Sequence, residues 1–528
     1  MSNIISSSKK IGIVGGGISG LSCYHYLTKS LNRLNNNKGN IHADIHLYEA
    51  KDRTGGWIQS FAVPQNNNNN NTYVLEKGPR SLRAAGNGKH TLDLVSELRL
   101  DNKVIFASGS SKTRYLLLDG KIQKMPQSFS EAMSFSYQHG LFGAFFGEPI
   151  KGKRDASLSD ESVQSFFERR FGKTVAQSFI EPLTLGIFGG DYSTLSIKSC
   201  FPSMEKIESK YGSLIKGNLL QSLSSDKTKQ QEADQEQCKL SHDAVRRVKS
   251  IMSKDVQASG VFSFQDGLST LTMSLEQSIA GNRLAKNSAL EKVTYKNGHF
   301  SLTFNGQPNK QVDTDILVST TPFYALGNAF TQQDPILSQL LLEQEYSNIA
   351  VINFVFNDLS VREKVKHFGF GYLIPSKENQ PVLGVAIDSN TFPQFIKGDQ
   401  QQQQESTILT VMIGGNSRVA KRNASWIDVS KSNDQQLIEI AANHLQQFLG
   451  IDYRQSAIYT QSNVCRQAIP HYSVGHSSLI DRINQHVEKT YNHSLFIGGN
   501  SLIGVGVNDA IYNSKLLSNN LIQKQFNK

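Results

Sequence analysis

Cysteine is scarce in this chain of 528 residues: Cys23, Cys200, Cys238 and Cys465 form no C-x-x-C pair and show no metal-ligand spacing. The pattern argues against a disulfide framework or a cysteine metal site and suits a reducing compartment. Cys23, on the first expected helix, reads as a small buried hydrophobe. Also missing is any uninterrupted apolar run long enough to form a membrane-spanning helix. The first strand comes too early for a secretory signal, no Arg-rich presequence is visible, and residues 1–8 are expected to hold at most a minimal address. Acidic residues fall short of basic ones, 45 against 55, for a formal charge of +10. That excess suits a solvated surface, an anionic membrane or an acidic ligand. No basic helix or basic stripe interleaved with aromatics points to nucleic acid. With 38% apolar and 19% charged residues the chain is globular, and its length allows two or three domains with proper cores.

What is present begins with glycine. The apolar run Ile11, Gly12, Ile13, Val14 reads as a buried strand and leads into Gly15, Gly16, Gly17, Ile18, Ser19, Gly20, a G-x-G-x-x-G turn. In such a turn Gly15 permits the tight bend, Gly17 lets a pyrophosphate approach the backbone, and Gly20 packs helix on strand. The diphosphate then meets the unpaired amides and dipole of a helix N-terminus. Leu21, Tyr24, Leu27 and Leu31 supply that helix with a sheet-facing stripe. A second strand over 44–49 ends at Glu49, whose carboxylate is placed to accept from ribose hydroxyls and would repel a 2′-phosphate. Arg53, Gly55 and Gly56 follow, and the set points to a bound dinucleotide, FAD. The polar residues 32–40 read as a loop inserted between helix and strand.

Farther along, the Asn tracts at 35–37 and 66–71 and the Gln tract at 400–404 read as surface-loop expansions. The polar stretch 222–241 reads as an inert insertion in preference to a lid. Residues 126–250 are helical in pattern. Within them the aromatic segment 134–147, followed by Lys151, Lys153 and Arg154, has the composition of a monotopic membrane contact, and equally of a core helix with a solvated end. Strands return from Val261, with a hairpin at Asn297-Gly298 and a buried strand over 315–319. Segments 350–356, 368–374, 382–387 and 407–413 are expected to form an antiparallel meander. A last strand near 495–497 leads through Gly498, Gly499, Gly504 and Gly506 into a final helix, a second row of amide donors for a cofactor's far end.

These motifs resemble the flavin amine oxidase superfamily and, within it, the protoporphyrinogen oxidase family. The narrower resemblance rests on residues 76–83, on Thr113, Arg114, Tyr115 and Leu116 with Gly120 and Pro126, on residues 181–191, on 369–375 with Leu383 and Gly384, and on 499–509. It implies an α/β (α+β multidomain) fold: a Rossmann-like FAD-binding domain, an antiparallel-sheet substrate domain and a helical membrane-binding insertion. The implied boundaries are 1–103, 253–325 and 486–528 for the FAD domain, 104–125 and 326–485 for the substrate domain, and 126–252 for the membrane-binding domain.

The resemblance further implies that Gly15, Gly16, Gly17, Ile18, Ser19, Gly20, Glu49, Arg53, Gly55, Gly56, Trp57, Gly78, Pro79, Arg80, Ser81, Val293, Gly499, Gly504, Val505, Gly506 and Val507 hold FAD. Val293 would contribute a backbone contact on the adenine side. Arg114 would bind a substrate propionate, Leu373 and Phe392 would pack on pyrrole rings, and Leu185 and Gly186 would line the flavin side. The implied reaction removes six electrons from protoporphyrinogen IX in three hydride transfers to flavin N5, with dioxygen reduced to hydrogen peroxide. No catalytic general base and no metal site are nominated. The implied location is the mitochondrial inner membrane, monotopic on the intermembrane-space side, where the aromatic segment meets anionic lipid. A homodimer follows from the resemblance, and contact with ferrochelatase from the pathway alone. Two rivals remain in view: a flavin amine, polyamine or carotenoid-type oxidase, and a non-enzymatic carrier of the Rab escort or GDP-dissociation-inhibitor type.

Overall fold

The structure, a computed structural model, describes residues 9–38, 42–64, 72–138, 140–151, 159–223, 240–252, 260–305 and 311–526. The expected address at 1–8, the Asn tract at 66–71, the basic cluster at 152–154 and most of the polar stretch 222–241, Cys238 included, lie outside the described residues.

A five-stranded sheet anchors the fold, in the order Leu284–Ala285, Ala43–Tyr48, Lys9–Val14, Ile316–Ser319, Leu495–Ile497, and every pairing is parallel. The central strands are near-continuous apolar runs because both faces are covered, as parallel sheets require. Helices Ile18–Lys38 and Val507–Phe526 pack together on one face. Small residues let them approach: Ser514 Oγ donates to Ser19 O at 2.9 Å and Ser518 Oγ to Cys23 O at 3.3 Å. Cys23 is fully buried in this seam, as expected, and burial pushes its thiol up to about 12. The opposite face carries the three-stranded sheet Leu290–Lys296, His299–Phe304 and Gln311–Thr314, whose hairpin turns at Asn297 (φ 53°) and Gly298 (φ 83°).

The expected loop over 32–40 is corrected for residues 32–38, and the remainder lies outside the described residues. The first helix continues through Lys38, because Leu31 and Leu34 keep the apolar stripe on the core and Asn costs a helix only tenths of a kcal/mol, roughly 0.7 at most. The Gln tract is likewise helical, Gln400–Glu405, with Gln401 Nε2 donating to Glu405 Oε1 at 2.9 Å.

A seven-stranded sheet forms the second layer system, in the order Ala457–His471, Glu345–Asn357, Ser406–Gly415, Val382–Ile387, Gly371–Leu373, Tyr115–Leu118, Lys121–Lys124. It is antiparallel as expected except at one pair. Tyr372 and Leu373 run parallel to Tyr115 and Leu116. The reason is topological: Tyr115–Leu118 comes from the far N-terminal side of the chain and docks at the end of the later meander. Helix Asp434–Leu449 covers one face and starts with a full capping box at Asn433 and Gln436.

Between these systems, described residues from 126 to 252 form helices and no named strand. A buried ion network holds them. The Arg170 and Glu148 side chains are wholly buried. Glu148 also accepts from Ser213 Oγ at 2.5 Å and from the Leu214 and Ile215 amides at 2.9 and 3.2 Å. Arg170 Nη2 reaches Gly212 O at 2.6 Å. This network underlies helix Phe142–Gly147, none of whose residues is buried. Tyr137 is 79% exposed, Phe146 66% and Ile150 87%, beside exposed Leu219 and Leu220. No helix among the described residues is long and apolar enough to cross a membrane.

Candidate active site

The glycine turn lies where the Lys9–Val14 strand ends. Gly15 takes φ +101°, and a Cβ on Gly20 would sit 1.8 Å from Gly15 O, so that position admits only glycine. A Cβ on Gly17, by contrast, would meet nothing nearer than Gly56 Cα at 3.9 Å. Gly17 therefore presents open backbone at the start of a helix whose first amides have no intrahelical acceptor. Glu49 stands over the turn: Oε2 accepts from the Gly16 amide at 2.6 Å and Oε1 from the Lys51 amide at 2.8 Å. Each carboxylate oxygen keeps a lone pair for a ribose hydroxyl. The first-turn residues Ile18 and Ser19 follow directly, and Ser19 is tied to the C-terminal helix as described.

Two loops complete the rim. Gly55 donates to Gly16 O at 2.8 Å and bridges Gly17 in parallel register. Arg53 faces inward, donating to Gly56 O at 2.9 Å and Thr54 O at 3.1 Å, so it holds the shape of the 55–56 turn and no donor of it is seen reaching outward. Trp57 lies under Lys51 Nζ at 5.1 Å and places its carbonyl 2.2 Å from where a Gly78 Cβ would be. The 78–81 loop thus lies against the glycine turn's neighbour; Gly78, Pro79 and Ser81 are partly exposed and Arg80 is buried. Val293 is a core residue in register with Leu302, close to Tyr48, so only its backbone could reach a ligand.

The C-terminal turn closes on the same place. Gly499 (φ +90°) lies against Thr320 O, and Gly504 (φ +74°) against Asp509. Gly504, Val505, Gly506 and Val507 are all partly exposed. Asn508 Nδ2 donates to Arg83 O at 2.9 Å and Asp509 Oδ1 accepts from Asn87 at 2.8 Å, fastening this turn to helix Gly88–Glu97. Thr320, absent from the expected set, links the turns: its Oγ1 reaches Gly15 O at 3.0 Å and its amide Val14 O at 2.9 Å. Its signal was the Ser-Thr-Thr-Pro sequence ending a buried strand.

Four of the five expected substrate residues are drawn together or accounted for by the parallel strand pair. A Cβ on exposed Gly186 would lie 3.1 Å from Leu373 Cδ2, so helix Glu181–Phe188 rests on strand Gly371–Leu373. Arg114 precedes the paired strand Tyr115–Leu118, and its guanidinium lies 4.5 Å from the Phe370 ring. It is exposed, donates to Ser111 O and has no carboxylate partner among the described residues. Partial burial and, to a lesser extent, the nearby Arg83 guanidinium lower its pKa. Leu185 is buried with Leu383 and Val419 directly behind this surface. Phe392 differs: it has no exposed surface and packs with Tyr73, Val355 and Phe395 in the core, because the helix Asp388–Thr391 turns its ring inward. The end of helix Glu181–Phe188 shares a cluster with Val505, which sets the expected substrate residues near the expected cofactor residues.

The sequence from residue 18 to 519 matches the family model of flavin-containing amine oxidoreductases. The chain is 39% identical to the protoporphyrinogen oxidase of Dictyostelium discoideum, with 97% of this chain and 99% of that protein covered. This chain belongs to the protoporphyrinogen oxidase family of flavin-containing amine oxidoreductases. A mitochondrial protoporphyrinogen oxidase of Nicotiana tabacum is 26% identical over 96% of this chain and 93% of its own. The fold matches a structure described as a candidate protoporphyrinogen oxidase from Exiguobacterium, with TM-score 0.72, 18% identity, and coverage of 98% of this chain and 100% of that one. The family's cofactor is a flavin, and the site fits one: filled positions at Gly16 and Gly20, open backbone at Gly17, and unspent donors on Arg80.

Proposed function

We propose that this protein oxidises protoporphyrinogen IX to protoporphyrin IX, removing six electrons and delivering them to three molecules of dioxygen as hydrogen peroxide. The carrying observation is Arg114, an exposed guanidinium without a carboxylate partner, laid on Phe370 beside Leu373 and Gly186. A planar fork suits a propionate, and the apolar Leu373 and Gly186 surface suits a macrocycle edge. Bound FAD supplies the two-electron acceptor, three uses of which account for six electrons. The protein's share is orientation: the 15–20 turn, Glu49 and the 504–507 turn hold the dinucleotide, while the 78–81 loop borders its reactive end.

The exposed Tyr137, Phe146 and Ile150 support a peripheral membrane contact by the 126–252 helices, since Phe142 joins Tyr137 to Phe146 in one apolar patch and such patches mark interaction surfaces. The mitochondrial relative supports a mitochondrial location, where the inner membrane is the surface that this exposed patch would meet. The boundaries proposed for the three domains are those implied by the sequence, with the parallel sheet in the first domain and the seven-stranded sheet in the second.

The test is a visible spectrum of the purified protein recorded while protoporphyrinogen IX is added in air. Flavin absorbance, rising porphyrin fluorescence and stoichiometric peroxide are expected. Flavin without porphyrin formation would refute the substrate and redirect attention to amines. A colourless protein that cannot be reconstituted would refute the oxidase reading itself.

A further inference from the structure

Two arginines among the described residues are buried, and they are treated differently. Arg170 is saturated: Nε reaches Glu148 Oε1 at 2.8 Å and Nη2 reaches Gly212 O at 2.6 Å, with further bonds to Glu148 and Lys151. Arg80, whose side chain is only 10% exposed, has its Nη1 3.5 Å from each oxygen of Asp388, well beyond the roughly 2.7–2.9 Å of a good charge-assisted bond. Its Nε and Nη2 donate to no described residue. These unspent donors are not enclosed by protein, so they open onto space that a ligand can fill.

Asp388 does not close the gap because it is held from behind. Thr410 Oγ1 lies 2.5 Å from Asp388 Oδ2 and 2.8 Å from Asn353 Oδ1, and Asn353 Nδ2 donates to Glu76 O at 3.2 Å. The chain then runs from Glu76 through Lys77 to Gly78, which abuts Trp57 beside the glycine turn. Glu76 adds little charge of its own at neutral pH, since burial pushes its carboxyl up to about 8. The local balance is therefore one cation with most of its donors unspent and one anion 3.5 Å from it.

We propose that Asp388 is a positioning residue that holds the Arg80 guanidinium toward the flavin and, by offsetting its charge, sets how easily the flavin is reduced. Uptake of two electrons and one proton from the substrate leaves a neutral flavin ring with one negative charge. Arg80 favours that charge, and Asp388 tempers the effect. The inference rests on the proposed placement of FAD along the 78–81 loop.

The test measures the flavin's two-electron potential in the holoenzyme by anaerobic dye equilibration, with flavin content and melting temperature recorded alongside. Asp388→Asn keeps a partner for Thr410 and removes the anion. It is expected to shift the equilibrium toward reduced flavin tenfold or more, about 30 mV for two electrons. Arg80→Met is expected to shift it the other way, and Asp388→Asn should have little effect in the Arg80→Met background, because it acts through Arg80. If Arg80→Met lowers the potential and Asp388→Asn does not raise it, the inference fails while the cofactor placement stands. If neither moves it with flavin fully bound, the placement itself is wrong. Should Asp388→Asn lose flavin, Asp388→Ser is read in its place; loss of flavin in both would make Asp388 structural and overturn the proposal.

Discussion

Glu76 offers a sharp test of the buried polar layer beneath the cofactor loop. It ends the strand Thr72–Glu76, 3% exposed, with Oε1 accepting from the Leu268 amide at 2.7 Å and Oε2 from Ser60 Oγ at 2.7 Å. Burial dominates and raises its pKa from 4.5 to about 8; Asp388 adds to the rise, and the two hydrogen bonds and Arg80 oppose it. The folded state therefore holds this proton more tightly than the unfolded state does. Its contribution to stability is fully present below pH 4.5 and is lost as pH rises toward 8. At about 1.4 kcal/mol per pH unit, the native protein should lose roughly 3.5 kcal/mol from this one group between pH 5 and pH 8. Glu76→Gln, nearly isosteric and unable to ionise, should show none of that loss. Urea unfolding of both proteins with saturating FAD at pH 5, 6, 7 and 8 should show the variant gaining on the native protein by that amount. A difference in stability that stays constant across the series would refute the reasoning, because it would mean that Glu76 is ionised in the folded state throughout.

Gly20→Ala should abolish flavin retention, since its Cβ would lie 1.8 Å from Gly15 O, whereas Gly143→Ala, with nothing within 4 Å, should retain it; bound flavin per chain measured by absorbance decides. Arg114→Gln should lower kcat/KM roughly ten- to a hundredfold, the worth of a charge-assisted bond, mainly through KM and without changing flavin content; an unchanged KM would remove Arg114 from the substrate site. Glu148→Ala leaves buried Arg170 with only the looser Glu208 carboxylate, 3.6 Å away, and should cost about 3 kcal/mol in chemical denaturation. Phe146→Asp should weaken sedimentation with anionic vesicles roughly tenfold or more, given about 2 kcal/mol for a buried phenylalanine, while leaving the melting temperature unchanged.

The backbone geometry of the candidate cradle was legible because its signals are local. An apolar strand, three spaced glycines and an acid at the end of the next strand all lie in one stretch of chain, and each fixes backbone geometry directly. The Arg80 and Asp388 pair was not legible, since its members are 308 positions apart and only packing of the 78–81 loop on the second sheet brings them together. The parallel pairing of Tyr115 with Tyr372 escaped for the same reason. The strand Ala457–His471 was missed because it is a sheet edge, half-exposed along most of its length, with Thr, Gln, Ser and Asn blurring the alternation. Composition misled at Asn32 and in the Gln tract, where low complexity read as loop although the helical pattern continued. Phe392 read as a stacking platform, yet burial in the core satisfies an aromatic ring as well as a ligand would.

The parallel sheet gathers its strands from residues 9–14, 43–48, 284–285, 316–319 and 495–497, and its covering helix Val507–Phe526 is the last helix of the chain. For a chain made in order on a ribosome, this fixes a timetable. The glycine turn emerges first, but Leu495–Ile497 and the 504–507 turn that face it follow some 480 residues later, roughly half a minute to a minute and a half at ordinary rates of synthesis. Throughout that interval the faces of Ile11 and Ile13, joined later by Val318, stand without their final neighbours, exposed to wrong partners and to the chaperones that shield them. Flavin capture must then follow synthesis, and a nascent chain halted before Leu495 should emerge colourless however complete its glycine motif.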